Sequence, residues 1–113
     1  MAKSELLPGT LDMLILKVLS QESLHGWGVS ERIQQLSGDV FEANQGSLYP
    51  ALQRLKRKGF VTAEWQRTEA NRRARYYEIT APGRTALAEE RATWRRSSEA
   101  VNQILEWAVP GTA

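Results

Sequence analysis

The side chains best suited to chemistry in this 113-residue sequence are cations, and they are unevenly spread. Between residues 45 and 75 stand Arg54, Lys56, Arg57, Lys58, Arg67, Arg72, Arg73 and Arg75 against only Glu64 and Glu69, a local balance of +6. Residues 1–44 carry −3 and residues 76–113 carry −1, so the net charge of +2 conceals one strongly basic third. Interleaved with these cations are Gln45, Ser47, Tyr49 and Gln53, whose amides and hydroxyls donate and accept hydrogen bonds. Fixed cations among neutral donors suit the capture of a polyanion, with charge supplying affinity and the neutral groups orientation. A merely solvated basic face has the same composition, so the elements that position these residues must decide.

Other chemistries are poorly served. There is no cysteine, which excludes disulfides and thiolate metal sites, and His25 is the single histidine. Ser23 lies near it, but Asp39 falls beyond the next helix, and nothing marks the three as a catalytic set. Gly26 and Gly28 make only a fragment of a phosphate-cradling loop, without a preceding strand. His25 is therefore read as structural, and no catalytic residue, metal site or cofactor is expected. Apolar residues at 42% and charged ones at 25% match an ordinary globular chain. No apolar run approaches the roughly 18 residues that span a bilayer. The opening MAKSELLPG lacks the apolar core and cleavage site of a signal peptide, so a cytoplasmic protein without membrane contact is expected.

The basic third begins with GSLYPALQRLKRKG, residues 46–59. Leu48, Leu52 and Leu55 recur at i, i+4 and i+7, the stripe of a helix with one buried side. At about 100° per residue, Gly46, Pro50, Gln53 and Arg57 point the other way, flanked by Ser47, Tyr49, Arg54 and Lys56. Asn44 is placed to cap this helix and Gly59 to stop it. Pro50 is tolerable because its ring presses on the carbonyl of a glycine near the helix start. Upstream, Leu11, Leu14, Ile15, Val18 and Leu19 predict a first helix, with Pro8 and Gly9 fixing its start and Thr10 as N-cap. Val29, Ile33 and Leu36 predict a second helix over residues 27–37, after a break at QESLHG. Past Gly59 the period changes to two. Residues 60–66 and 75–79 read as an antiparallel hairpin with a basic tip, with Val61, Ala63 and Trp65 sharing one face. Tyr76 and Tyr77 fall on opposite faces, so one belongs to the core. Thr80 then caps a last helix, whose first turn admits Pro82.

Three helices followed by a two-stranded hairpin is the order of a winged helix-turn-helix, mainly α with a small β-hairpin. In that arrangement the third helix enters the DNA major groove and the hairpin, or wing, touches phosphates or an adjacent groove. The binding face would then comprise Gln45, Ser47, Tyr49, Pro50, Gln53, Arg54 and Arg57 on the helix and Arg72, Arg73 and Arg75 on the wing. Gln53 can pair with an adenine edge, arginine reads guanine bidentately, and the wing cations suit phosphate or minor-groove contact. Arg54 suits either a phosphate contact or a structural ion pair, Tyr49 either DNA or the helix flank, and Arg75 either DNA or Glu64 or Glu78 across the strands.

Four blocks carry a family resemblance: GTLDMLILKVL (9–19), HGWGVSERI (25–33), GSLYPALQRLKRKGFV (46–61) and RRARYYEITAPGR (72–84). Together they resemble the PadR-type transcriptional regulators, whose pattern runs from a Gly-Thr/Ser-Leu helix start through a His-Gly-aromatic motif to Leu-Tyr-Pro-Ala-Leu-x-Arg-Leu and a basic wing ending Tyr-Tyr-x-Leu/Ile-Thr. Trp27 stands where the family more often has tyrosine, and Arg54 matches the arginine of the recognition helix. The resemblance implies a homodimeric repressor of double-stranded DNA whose last helix dimerises, and some relatives sense phenolic acids or drugs.

The last segment agrees on its own terms. Residues 81–108 hold no glycine or proline besides Gly83 and Pro82, so a helix there would be about 40 Å long, too long to bury its apolar side at home. Leu87, Trp94, Val101 and Ala108 recur every seven residues, with Ile104 and Leu105 beside them, as a helix–helix seam requires. Residues 1–80 are thus expected to form the DNA-binding domain and 81–113 a dimerisation helix and tail. Two copies of Trp94 facing across a two-fold axis would make a slot for a small aromatic effector, or would simply pack. Against the DNA-binding regulator stands a winged-helix module that binds protein instead. Such an interface favours apolar anchors over Lys and Arg.

Overall fold

In the computed structural model, which describes residues 9–111, the chain enters its first helix, α1 (Thr10–Leu19), through Gly9. The N-cap is Gly9 rather than Thr10, because the entry needs a φ of 87° that a side chain disfavours. Thr10 is the first helical residue, and Pro8 lies outside the described residues. The break that follows contains a strand the sequence did not reveal, β1 (Leu24–His25). It leads directly into α2 (Gly26–Leu36), then α3 (Gln45–Arg57), β2 (Val61–Arg67), β3 (Arg73–Ile79) and α4 (Ala81–Leu105). The sheet is three-stranded and antiparallel, in the order β1-β3-β2.

Caps fix the helix entries. His25 Nδ1 accepts from the Gly28 amide at 2.9 Å, and Asn44 Oδ1 accepts from Ser47 at 3.0 Å. Thr80 Oγ1 accepts from Gly83 at 3.1 Å while donating to the Gly59 carbonyl at 2.7 Å, tying the start of α4 to the end of α3. Each such cap stabilises by about 1 kcal/mol. Gly59, at φ 77°, ends α3, and the Phe60 amide reaches back to Leu55 O at 2.9 Å.

The core lies where the three head helices meet one face of the sheet. Ile15, Leu16, Val29, Leu48, Leu52 and Leu55 are buried against Val61, Tyr77 and Ile79. The last helix joins this core only at its beginning. Gly83 is buried so closely on the head that a Cβ there would stand 2.1 Å from the Phe60 carbonyl oxygen, while Ala86 and Leu87 pack at the edge. From Ala88 onward α4 is almost wholly exposed, and it ends at Leu105 instead of continuing to Ala108. Two local features favour that earlier stop. Glu106, the C-cap, sets a negative charge at the negative end of the helix, and Pro110 disfavours helical backbone at Val109. No helix of the described residues is long and apolar enough to cross a membrane.

Candidate nucleic-acid interface

Pro50 sits inside α3 without ending it, and the helix keeps its leucines inward and its polar ridge outward. Gly46, Ser47, Tyr49, Pro50, Lys56 and Arg57 are exposed, while Gln45 and Gln53 are half-buried on the flanks. No acidic side chain lies within α3. Lys56 and Arg57 stand in its last turn, where the negative end of the helix dipole favours cations.

Strand register explains how one hairpin belongs both to the core and to the surface. The pairs Val61↔Ile79, Ala63↔Tyr77, Trp65↔Arg75 and Arg67↔Arg73 succeed one another along a single face, since opposed residues share a side. That face is buried at its root and becomes cationic toward the tip. The other face carries Thr62↔Glu78 and Glu64↔Tyr76. Glu64 and Glu78 are therefore on the opposite side of the wing from Arg75, which corrects the sequence-based alternative that pairs them. The tip closes through Asn71, at φ 60°, whose Oδ1 accepts from Arg67 Nη1 at 2.8 Å. No ion pair involves Arg72, Arg73 or Arg75 among the described residues.

Between this cationic face and α3 lies a groove of about 770 Å³ lined by Tyr49, Trp65, Arg72, Arg73 and Arg75, with Trp27 at its mouth. Tyr49 packs on the helix flank while keeping part of its ring in solvent. It is 48% exposed, yet its ring approaches Gly26 so closely that a Cβ there would stand 3.3 Å from Cε1. Of the two tyrosines on β3, Tyr77 is the core residue, only 1% exposed. Burial pushes its phenol above the usual tyrosine range, with the Arg75 charge pulling it down and Tyr49 adding to the rise.

Two side chains make structural contacts. Arg54 Nη2 donates to Asp12 Oδ1 of α1 at 2.8 Å, which is the structural ion pair, reached across 42 positions of sequence. His25, besides capping α2, sets its ring edge against Tyr76 at 5.3 Å. With Nδ1 accepting from Gly28, the imidazole is held as a cap between α2 and the wing strand. Trp65 and Trp27 are the groove residues that sequence reasoning left out. For Trp65 a signal existed, because the alternation of FVTAEWQ carries it on the core face beyond the point where the core ends.

The proposed seam on α4 is open. Trp94, Val101, Ile104 and Leu105 are at least half exposed, and Leu87 alone of the set is partly buried on the head.

Comparison with known proteins places this geometry. Residues 15–89 match the model of the transcriptional regulator PadR-like family. Transcriptional regulator Rv3488 of Mycobacterium tuberculosis is 34% identical over 91 residues, 80% of this chain and 78% of its own length. The crystal structure of a PadR family transcriptional regulator from Eggerthella lenta shares 29% identity at a TM-score of 0.74, covering 88% of this chain and 85% of that one. A transcriptional regulator from Clostridium thermocellum, at 23% identity, has the same fold, with a TM-score of 0.79 over 87% of this chain and 92% of its own.

Proposed function

This chain belongs to the PadR-like family of transcriptional regulators, which are DNA-binding proteins and not enzymes, and from that premise we propose a cytoplasmic homodimeric repressor of a palindromic operator. The observation that carries the proposal is the solvent-facing, acid-free ridge of α3 beside three wing arginines that form no ion pair among the described residues. In this reading Ser47, Tyr49, Pro50, Gln53 and Arg57 enter the major groove with Gln45 at the helix start. Arg72, Arg73 and Arg75 contact phosphates, and Arg54 fixes α3 on α1 while its exposed part faces the backbone. The unit that binds DNA is residues 1–80, and 81–113 dimerise through Leu87, Trp94, Val101, Ile104 and Leu105. A two-fold dimer would set its two α3 ridges about 34 Å apart, one turn of DNA.

A protein-binding wing would carry apolar anchors in place of arginine. Here Trp65 is the large apolar side chain exposed on the wing, among arginines, while Trp94, Val101, Ile104 and Leu105 form an exposed apolar row on α4, which favours DNA for the head and a second copy for the tail. Salt dependence separates the two. Affinity for random duplex DNA should fall with a log–log slope of about −0.9 per phosphate neutralised. Reversing Arg72→Glu and Arg73→Glu should weaken binding to all sequences alike and make that slope shallower by about 2. Absence of DNA binding even at low salt would leave the protein-binding module as the better account. Trp94 is assigned to the dimer seam. Tryptophan fluorescence titration with phenolic acids and planar dyes, repeated on Trp94→Ala, tests whether the slot between its two copies also takes an aromatic effector that releases DNA.

A further inference from the structure

Trp65 occupies a position that core packing does not explain. It is 58% exposed, although it lies on the hairpin face that begins in the core with Val61 and Ala63. Its indole is engaged by cations instead. Arg73 Cζ lies 5.2 Å and Arg75 Cζ 5.9 Å from the ring centroid, both within the roughly 6 Å over which an aromatic face attracts a guanidinium. The two arginines are two positions apart on β3, so the pleat sets them on the same side, and one ring serves both. Among the described residues Arg75 Nε is buried with no hydrogen-bond partner, and Glu64 and Glu78 are on the opposite face of the wing. Tyr49 of α3 lines the same groove as Trp65, Arg73 and Arg75.

We infer that Trp65 is a positioning residue of the DNA-binding face, its indole holding the Arg73 and Arg75 guanidiniums toward one backbone phosphate seated between the wing and Tyr49. The inference rests on the DNA-binding function proposed above. Two convergent cations without acidic partners fit a full negative charge better than the neutral edge of a base. A phosphate also offers several oxygens for the Arg73 and Arg75 guanidinium groups and the Tyr49 hydroxyl at once. Arginines already laid on a ring lose less rotamer freedom when the anion arrives than arginines waving in solvent. A seat shared by α3 and the wing would further fix the angle between the two elements on the duplex.

The test compares wild type, Trp65→Phe and Trp65→Leu for binding to random duplex DNA across a salt series, with thermal melting as the control for folding. Leucine keeps apolar bulk without a π face, so Trp65→Leu should lose roughly tenfold in affinity while Trp65→Phe stays within about threefold of wild type. Equal binding by wild type and Trp65→Leu overturns this inference alone, whereas a wild type without affinity overturns the DNA-binding function and this inference with it. A variant with Trp27, Trp94 and Trp107 changed to Phe isolates the emission of Trp65. Duplex DNA should shift it, and inorganic phosphate at matched ionic strength should not. The same shift from inorganic phosphate alone would make this a free-anion site and overturn the assignment to DNA.

Discussion

In the winged head, apolar side chains from Leu11 to Ile79 close on one another, and the outer ridge of α3 and the tip of the wing are polar and cationic. In α4 beyond Leu87 the proportions reverse. Trp94, Val101, Ile104 and Leu105 face solvent, with Leu105 at 75% exposure. The helix is about 37 Å long at 1.5 Å per residue, and it gives the molecule an extent of 65 Å against 33 and 21 Å in the other directions. The head buries most of its hydrophobic surface internally, Trp27, Leu36, Val40, Tyr49 and Trp65 excepted, and leaves charge to be matched by a partner. The tail has satisfied its charged groups with solvent and leaves hydrophobic surface to be covered. Those two unlike deficits are what the proposed function assigns to two unlike partners, a polyanion for the head and a second copy for the tail.

The sharpest way to break that contrast is to put charge on the tail. Val101→Glu together with Leu105→Glu should convert a dimer to a monomer in sedimentation equilibrium without lowering the melting temperature of the head. Operator affinity should then fall by about 10²- to 10⁴-fold, because two linked half-sites become independent. A variant that stays dimeric would move the seam off this face of α4. Next in size is the junction between the two regions. Gly83→Val would drive a side chain into the Phe60 carbonyl and should destabilise the head by about 3 kcal/mol or more, measured by denaturant unfolding. A neutral result would show that α4 can lift off the head at little cost.

On the head, Gln53→Ala should alter preference among DNA sequences, by about 1–3 kcal/mol at one base pair, and leave non-specific affinity nearly unchanged. Uniform weakening on all sequences would place Gln53 on the backbone instead. The smallest effect belongs to the ion pair that seats α3 on α1. Both partners retain solvent contact, so Asp12→Asn should cost only about 0.5 kcal/mol of stability. A loss several times larger would mean that the pair orients α3 more firmly than its exposure suggests.

The same contrast explains what could be read from the residues alone. Leu48, Leu52 and Leu55 announce α3 because a helix with one buried side must repeat its leucines at that spacing, and the change of period after Gly59 announces the wing. The ridge opposite those leucines is therefore legible as exposed before any coordinates are known. Features that depend on distant partners are not. The strand at Leu24–His25 is two residues long and exists only because Tyr76 and Tyr77 of β3 lie beside it. The Asp12–Arg54 pair joins two helices whose docking no local pattern encodes. His25 is legible as structural from its isolation, but its work as the cap of α2 depends on the exact turn into Gly28. α4 ends three residues short of Ala108, since absence of glycine and proline permits a helix but does not support its last turn.

The central claim is that the head reads DNA and the tail makes that reading two-fold. Selection of bound duplexes from a random pool by the purified full chain tests both halves in one measurement. The account predicts an enriched palindrome whose half-sites are centred about 10 base pairs apart. Recovery of no preferred sequence, or of a single unpaired half-site, would contradict it.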